Sequence, residues 1–67
     1  NNYINIDTKE ETGFKAILYD SKGAKLEEIV CDKNCTLDVK NYPNGYYHLK
    51  ILSDTGEIIE KVIFINK

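Results

Sequence analysis

The stretch Tyr42-Pro43-Asn44-Gly45-Tyr46-Tyr47-His48-Leu49-Lys50-Ile51 decides the fold. Proline fixes φ near the value a turn needs, and the glycine two residues on supplies a conformation with φ > 0 that other residues resist. The chain then alternates. Tyr47, Leu49 and Ile51 fall on one face, and Tyr46, His48 and Lys50 on the other, which is the two-residue period of a half-buried β-strand.

Working outward, the same alternation recurs at short intervals between turn signals, as in all-β domains. Strands are expected over residues 3–6 (Ile4 and Ile6 on one face), 14–19 (Phe14, Ala16, Leu18), 25–30 (Leu26, Val30), 35–40 (Leu37, Val39 inward), 45–52 and 58–65. Residues 7–13 read as a polar loop. Asp20-Ser21-Lys22-Gly23 reads as a hairpin turn, and Ser53-Asp54-Thr55-Gly56 repeats its chemistry. Asp32-Lys33-Asn34 reads as a tight turn between antiparallel strands. The Glu27-Glu28 pair reads as solvated and marks its strand as an edge. In the last strand Val62 and Phe64 compete with Ile63 and Ile65 for the core, so that strand is either central or covers a second surface. Its outer face is then expected to meet a neighbouring domain or a missing piece of this one. The fold expected is all-β: a small immunoglobulin-like Greek-key β-sandwich of about six to seven strands.

Size and composition narrow the function. With 67 residues, residues 1–67 make one domain, which buries only about 60% of its extended-chain surface. The formal net charge is −2, and the nine basic residues are all lysines, scattered along the chain. Nucleic-acid binding calls for a basic stripe containing arginine and is set aside. No apolar run approaches the roughly 18 residues that cross a bilayer as a helix, so no membrane span is expected. The chain holds no Met, not even at its first position. We therefore expect a processed product or an excised piece of a longer chain.

Few residues suggest chemistry. Cys31 and Cys35 bracket the Asp32–Asn34 turn at a spacing that permits a disulfide, two free thiols or part of a metal site. A disulfide would argue for export, since such bonds persist in oxidising compartments. A zinc site needs four ligands, and the one histidine, His48, lies on the outer face of another strand. No Ser or Cys is placed for His48 to activate, so it reads as a solvated strand residue and the chain as a non-enzyme. The four glycines are isolated and form no phosphate-cradling loop. No cofactor is expected. Tyr46 beside His48 is the best candidate for a contact surface, since exposed aromatic rings stack on sugars and peptides.

Four segments resemble, in order, the C-terminal sorting domain of type IX secretion substrates. They are Ile17-Leu18-Tyr19-Asp20 with Gly23 and Leu26; Leu37-Asp38-Val39; Gly45-Tyr46-Tyr47 with Leu49 and Ile51; and Glu60-Lys61-Val62-Ile63-Phe64-Ile65-Asn66-Lys67. The resemblance spans about residues 3–67. It implies a sorting signal carried by an upstream cargo domain, read by the secretion machinery and often removed by a sortase-like peptidase. The protein would pass through the periplasm to the cell surface or the medium. It also implies Gly45, Tyr47, Lys61 and Lys67 as the sorting positions, with Tyr47 mostly structural and the last strand the recognition element. The family usually opens on an Asn-Pro motif, whereas this chain begins Asn1-Asn2-Tyr3. A family of small secreted β-sandwich proteins with the same Gly-x-Tyr strand is similar too. It keeps open the alternative of an interaction module that binds protein or glycan.

Overall fold

The computed structural model describes residues 3–7 and 13–66. Six strands form two sheets: β1 (Tyr3–Asp7), β2 (Phe14–Tyr19), β3 (Lys25–Cys31), β4 (Asn34–Asp38), β5 (Gly45–Ser53) and β6 (Ile58–Ile65). The larger sheet has the order β3-β2-β5-β6, and the smaller pairs β1 with β4. Every pairing is antiparallel. The all-β, two-layer expectation therefore holds. Strand β5 returns beside β2, as in a Greek key, while β4 sits in the opposite layer.

The core lies between the layers. From the large sheet it takes Phe14, Ala16 and Leu18 of β2, Tyr47, Leu49 and Ile51 of β5, Cys31 of β3 and Ile65 of β6. Ile6, Leu37 and Val39 close it from the small-sheet side. Burying side chains of this size is the main favourable term in so small a domain. Strand β2 is buried on both faces, because Ile17 points away from the core yet is only 7% exposed. That is the position of an interior strand, with β3 on one side and β5 on the other.

Two hairpin turns set the large sheet's register. Around Asp20, Gly23 N–H donates to the Asp20 carbonyl at 3.0 Å, and Asp20 Oδ1 accepts from Lys22 and Ala24 N–H, each at 2.9 Å. Ser53 plays the same part in the second turn: Gly56 N–H donates to its carbonyl at 3.1 Å, and Glu57 N–H to its Oγ at 3.0 Å. Gly23 and Gly56 take φ of 90° and 93°, the left-handed position that ends such turns.

Three expectations need correction. Strands β3 and β4 do not pair with each other. They lie in different sheets, so Asp32 and Lys33 form an arch between layers rather than a hairpin turn. Local turn residues look the same in both cases; what differs is the distant partner, β2 for β3 and β1 for β4. Glu27 is not a solvated twin of Glu28. Glu27, Ile29 and Cys31 stand opposite the core residues Leu18, Ala16 and Phe14 and turn inward, while Glu28 and Val30 face out and Leu26 is exposed. Of the two alternatives for β6 the central one falls: among the described residues it is the sheet's edge, with Ile65 buried and Val62 and Phe64 exposed. Strand β3, expected at an edge, is at one.

The opening segment behaves as its residues require. Gly45 has φ of 149° and nothing within 4 Å of where a Cβ would stand. Its constraint is thus conformational rather than steric. Tyr47 is buried, and its hydroxyl donates to the Pro43 carbonyl at 2.5 Å. The ring fills the core while the hydroxyl clamps the turn four residues back, as in the tyrosine corner of β-sandwiches. Two outcomes follow. Gly45→Ala should cost about 1–3 kcal/mol, whereas D-alanine at position 45, introduced by chemical synthesis, should leave the denaturation midpoint close to wild type. Tyr47→Phe should cost about 1 kcal/mol, the net worth of one hydrogen bond, as measured by urea unfolding.

Candidate functional site

Among the described residues strand β6 has one neighbour, β5. Its register on β5 is set by the Ser53 turn, where Ser53 N–H donates to the Glu57 carbonyl at 2.9 Å. Counting back along both strands places Phe64 opposite Tyr46, Val62 opposite His48, Glu60 opposite Lys50 and Ile58 opposite Leu52. All eight side chains belong to the large sheet's outer face, the one turned away from β1 and β4.

The result is an exposed apolar stripe. Tyr46, Val62 and Phe64 are 64%, 63% and 56% exposed. The Tyr46 and Phe64 rings pack against each other, with centroids 4.9 Å apart and planes tilted by 51°, a favourable edge-biased arrangement. Beyond them a shallow groove is lined by Tyr19, His48, Lys50, Glu60 and Val62 among others. Tyr19 is opposite His48 on the far side of β5. The stripe therefore runs along the β5–β6 ladder into a patch where positive and negative side chains alternate. At the other edge Glu28 pairs with Lys25 at 2.6 Å and Lys15 at 3.4 Å. Those lysines hold the Glu28 carboxyl below the usual carboxylate range, with the Lys25 hydrogen bond the main cause.

The residues singled out from the sequence divide between the two faces. Tyr46 and His48 lie on the outer stripe. Gly45, Tyr47 and Lys61 belong to the core side, opposite Ile65, Ile63 and Leu49 respectively. Tyr47 is buried and offers a partner little surface. Lys61 is exposed, as is Ile59 two residues earlier on the same side, at 43%, so the small sheet stops short of this corner. Lys67 lies outside the described residues. Phe64 and Val62 were expected only as part of a covered strand face, not as partners of Tyr46. The signal was present in the Ser53–Gly56 turn, which pairs Phe64 with Tyr46 once its closing residues are known.

A second arrangement holds the start of β5 in place. Tyr42, in the crossing between β4 and β5, donates its hydroxyl to Glu27 Oε1 at 2.6 Å, and its ring lies 6.0 Å from that of Tyr47. The Glu27 hydrogen bond, followed by burial, pushes the Tyr42 phenol up to about 12. This contact ties the crossing to edge strand β3, as Tyr47 ties it to β5.

Among the described residues no group of His, Cys, Asp or Glu could hold a metal ion, and no helix is long and apolar enough to cross a membrane. The chain finds no match among curated proteins or among solved structures. A family model described as the secretion system C-terminal sorting domain matches residues 1–66. The chain belongs to that family. It is a sorting signal domain of type IX secretion, a role that addresses a protein for export to the outer membrane and cell surface through the secretion machinery.

The Tyr42 contact gives a pH signature. A phenol whose folded pKa lies above its ordinary value of about 10 contributes stability that is whole below pH 10 and is lost as the pH rises towards 12. Unfolding curves of wild type and Tyr42→Phe should therefore differ by a constant amount up to about pH 10 and converge above it. A difference that stays flat to pH 12 would remove Glu27 from the account.

Proposed function

We propose that this member of the sorting family acts as a single module, residues 1–67, that presents the β5–β6 ladder to the export machinery as a folded signal. The observation that carries the reading is the state of β6. It is an eight-residue edge strand with exposed apolar side chains on its outer face, exposed Ile59 and Lys61 on the other, and one flank unpaired among the described residues. Soluble proteins blunt such edges or use them, and an unpaired strand is a ready template for a partner's strand or loop. In this reading Lys61 and Lys67 are contact positions. Gly45 and Tyr47 act indirectly, by fixing the turn and register that aim β6. A sortase-like peptidase removes the domain after transit through the periplasm, releasing an upstream cargo domain to the surface or the medium. The module performs no catalysis of its own.

A second reading rests on the Tyr46–Phe64 pair. An exposed, mutually packed aromatic couple is also a platform for a sugar ring or a peptide, which fits an interaction module on the same scaffold. The two readings separate in one experiment. Residues 1–67 are fused to a reporter in a host with this pathway, alongside a Val62→Ser/Phe64→Ser variant and a deletion of residues 60–67. Export of the parent fusion, its loss on deletion, and a severalfold drop in the surface fraction for the double variant are expected, with the reporter folded throughout. A parent fusion retained in the periplasm would sink the sorting reading. Normal export of the double variant would shift the stripe's role to ligand binding.

A further inference from the structure

Cys31 and Cys35 are joined by a disulfide, with Cα atoms 5.7 Å apart. Its place in the topology matters more than its loop length. Cys31 ends β3, opposite Phe14 in the large sheet, while Cys35 lies near the start of β4, opposite Ile6 in the small sheet. The bond therefore spans the layers across the Asp32–Lys33 arch. Cys31 is 4% exposed and belongs to the core cluster, with Cys35 packed against it. Gly13 closes the same corner. A Cβ there would meet the Cys31 carbonyl at 3.1 Å, and the Gly13 carbonyl accepts from Asp54 N–H at 3.2 Å.

The layer this bond holds is the weaker one. β1 and β4 form a two-stranded sheet with no further strand on either side among the described residues, and such ribbons are marginal in water by themselves. Their residues are far apart in the chain, so no hairpin turn supports the pairing. What keeps the ribbon in place is the apolar contact of Ile6, Leu37 and Val39 with the large sheet, together with the covalent bond.

We infer that the Cys31–Cys35 bond is a redox lock on the packing of the two layers. In the dithiol form the β1–β4 ribbon opens ahead of the rest, exposing the inner face of β5 and loosening the ladder that the sorting role uses. This link to sorting rests on the function proposed above. Closing the lock takes two protons and two electrons from the paired thiols. A disulfide-form oxidant accepts the electrons and is itself reduced to a dithiol. The lock thus closes in an oxidising compartment and opens in a reducing one, so the finished signal is displayed only after the chain leaves a reducing environment. Constraining so short a loop shifts the opening equilibrium about thirtyfold.

Amide hydrogen exchange on the 67-residue chain, before and after reduction by a phosphine, tests the lock without any substitution. In the oxidised protein, β1 and β4 amides should exchange through the same global opening as those of β2 and β5. After reduction they should exchange through a separate opening that is about thirtyfold more populated than before. Protection that still coincides between the ribbon and the large sheet after reduction overturns the inference. The consequence for sorting is read in the reporter fusion, where Cys31→Ala/Cys35→Ala should lower export relative to the parent. If the parent itself is not exported, the sorting reading fails while the exchange result still decides the lock. If parent and double variant are exported equally, the lock has no bearing on sorting.

Discussion

The structure depends on one face of β5. Tyr47, Leu49 and Ile51 must all be buried together, and only strands on both sides plus a covering layer can bury them. Neighbours β2 and β6 complete the row, and Ile6, Leu37 and Val39 close it from above. A slip of one residue would send that whole set to solvent and bring His48 and Lys50 inward. The turn at Gly45 and the tyrosine clamp on Pro43 stand at the head of this strand because the start of β5 sets the position of everything after it.

How much of this was legible depended on whether the determinant was local. Alternation gave all six strands, and the Asp20 and Ser53 turns could be read because their hydrogen bonds are made within a few residues. The positive φ of Gly45 was equally local. The pairing of β1 with β4 was not, since Ile4 meets Leu37 through a contact no short window contains. For the same reason the Asp32–Lys33 arch resembled a hairpin turn. Glu27 was misread because the inward face of β3 is chosen by its distant partner, which sets Glu27 opposite the core residue Leu18 and Glu28 opposite the outward Ile17. The ambiguity in β6 was physical, since a strand with apolar residues on both faces does not declare whether it is interior or edge.

The site was legible in pieces. The sorting role came from the order of four weak motifs rather than from any reactive group, and the family match covers nearly the whole chain. The geometry then separates residues that a motif lists side by side. Gly45 and Tyr47 shape the domain from within, whereas Tyr46 and His48 face solvent on the same strand. The exposed apolar stripe needed β6 to be placed in register before Phe64 and Val62 could join Tyr46.

The open flank of β6 has a cost. A strand rich in isoleucine, valine and phenylalanine, with its backbone groups unshared on one side, invites stacking with other copies of itself. Glu60 and Lys61 interrupt the apolar run at its middle, placing one charge on each face and acting as gatekeepers against fibrous growth. The open flank trades shelf life for accessibility: backbone groups left free on one side make prolonged storage at high concentration hazardous. The charged pair sets how long the protein can wait to be used.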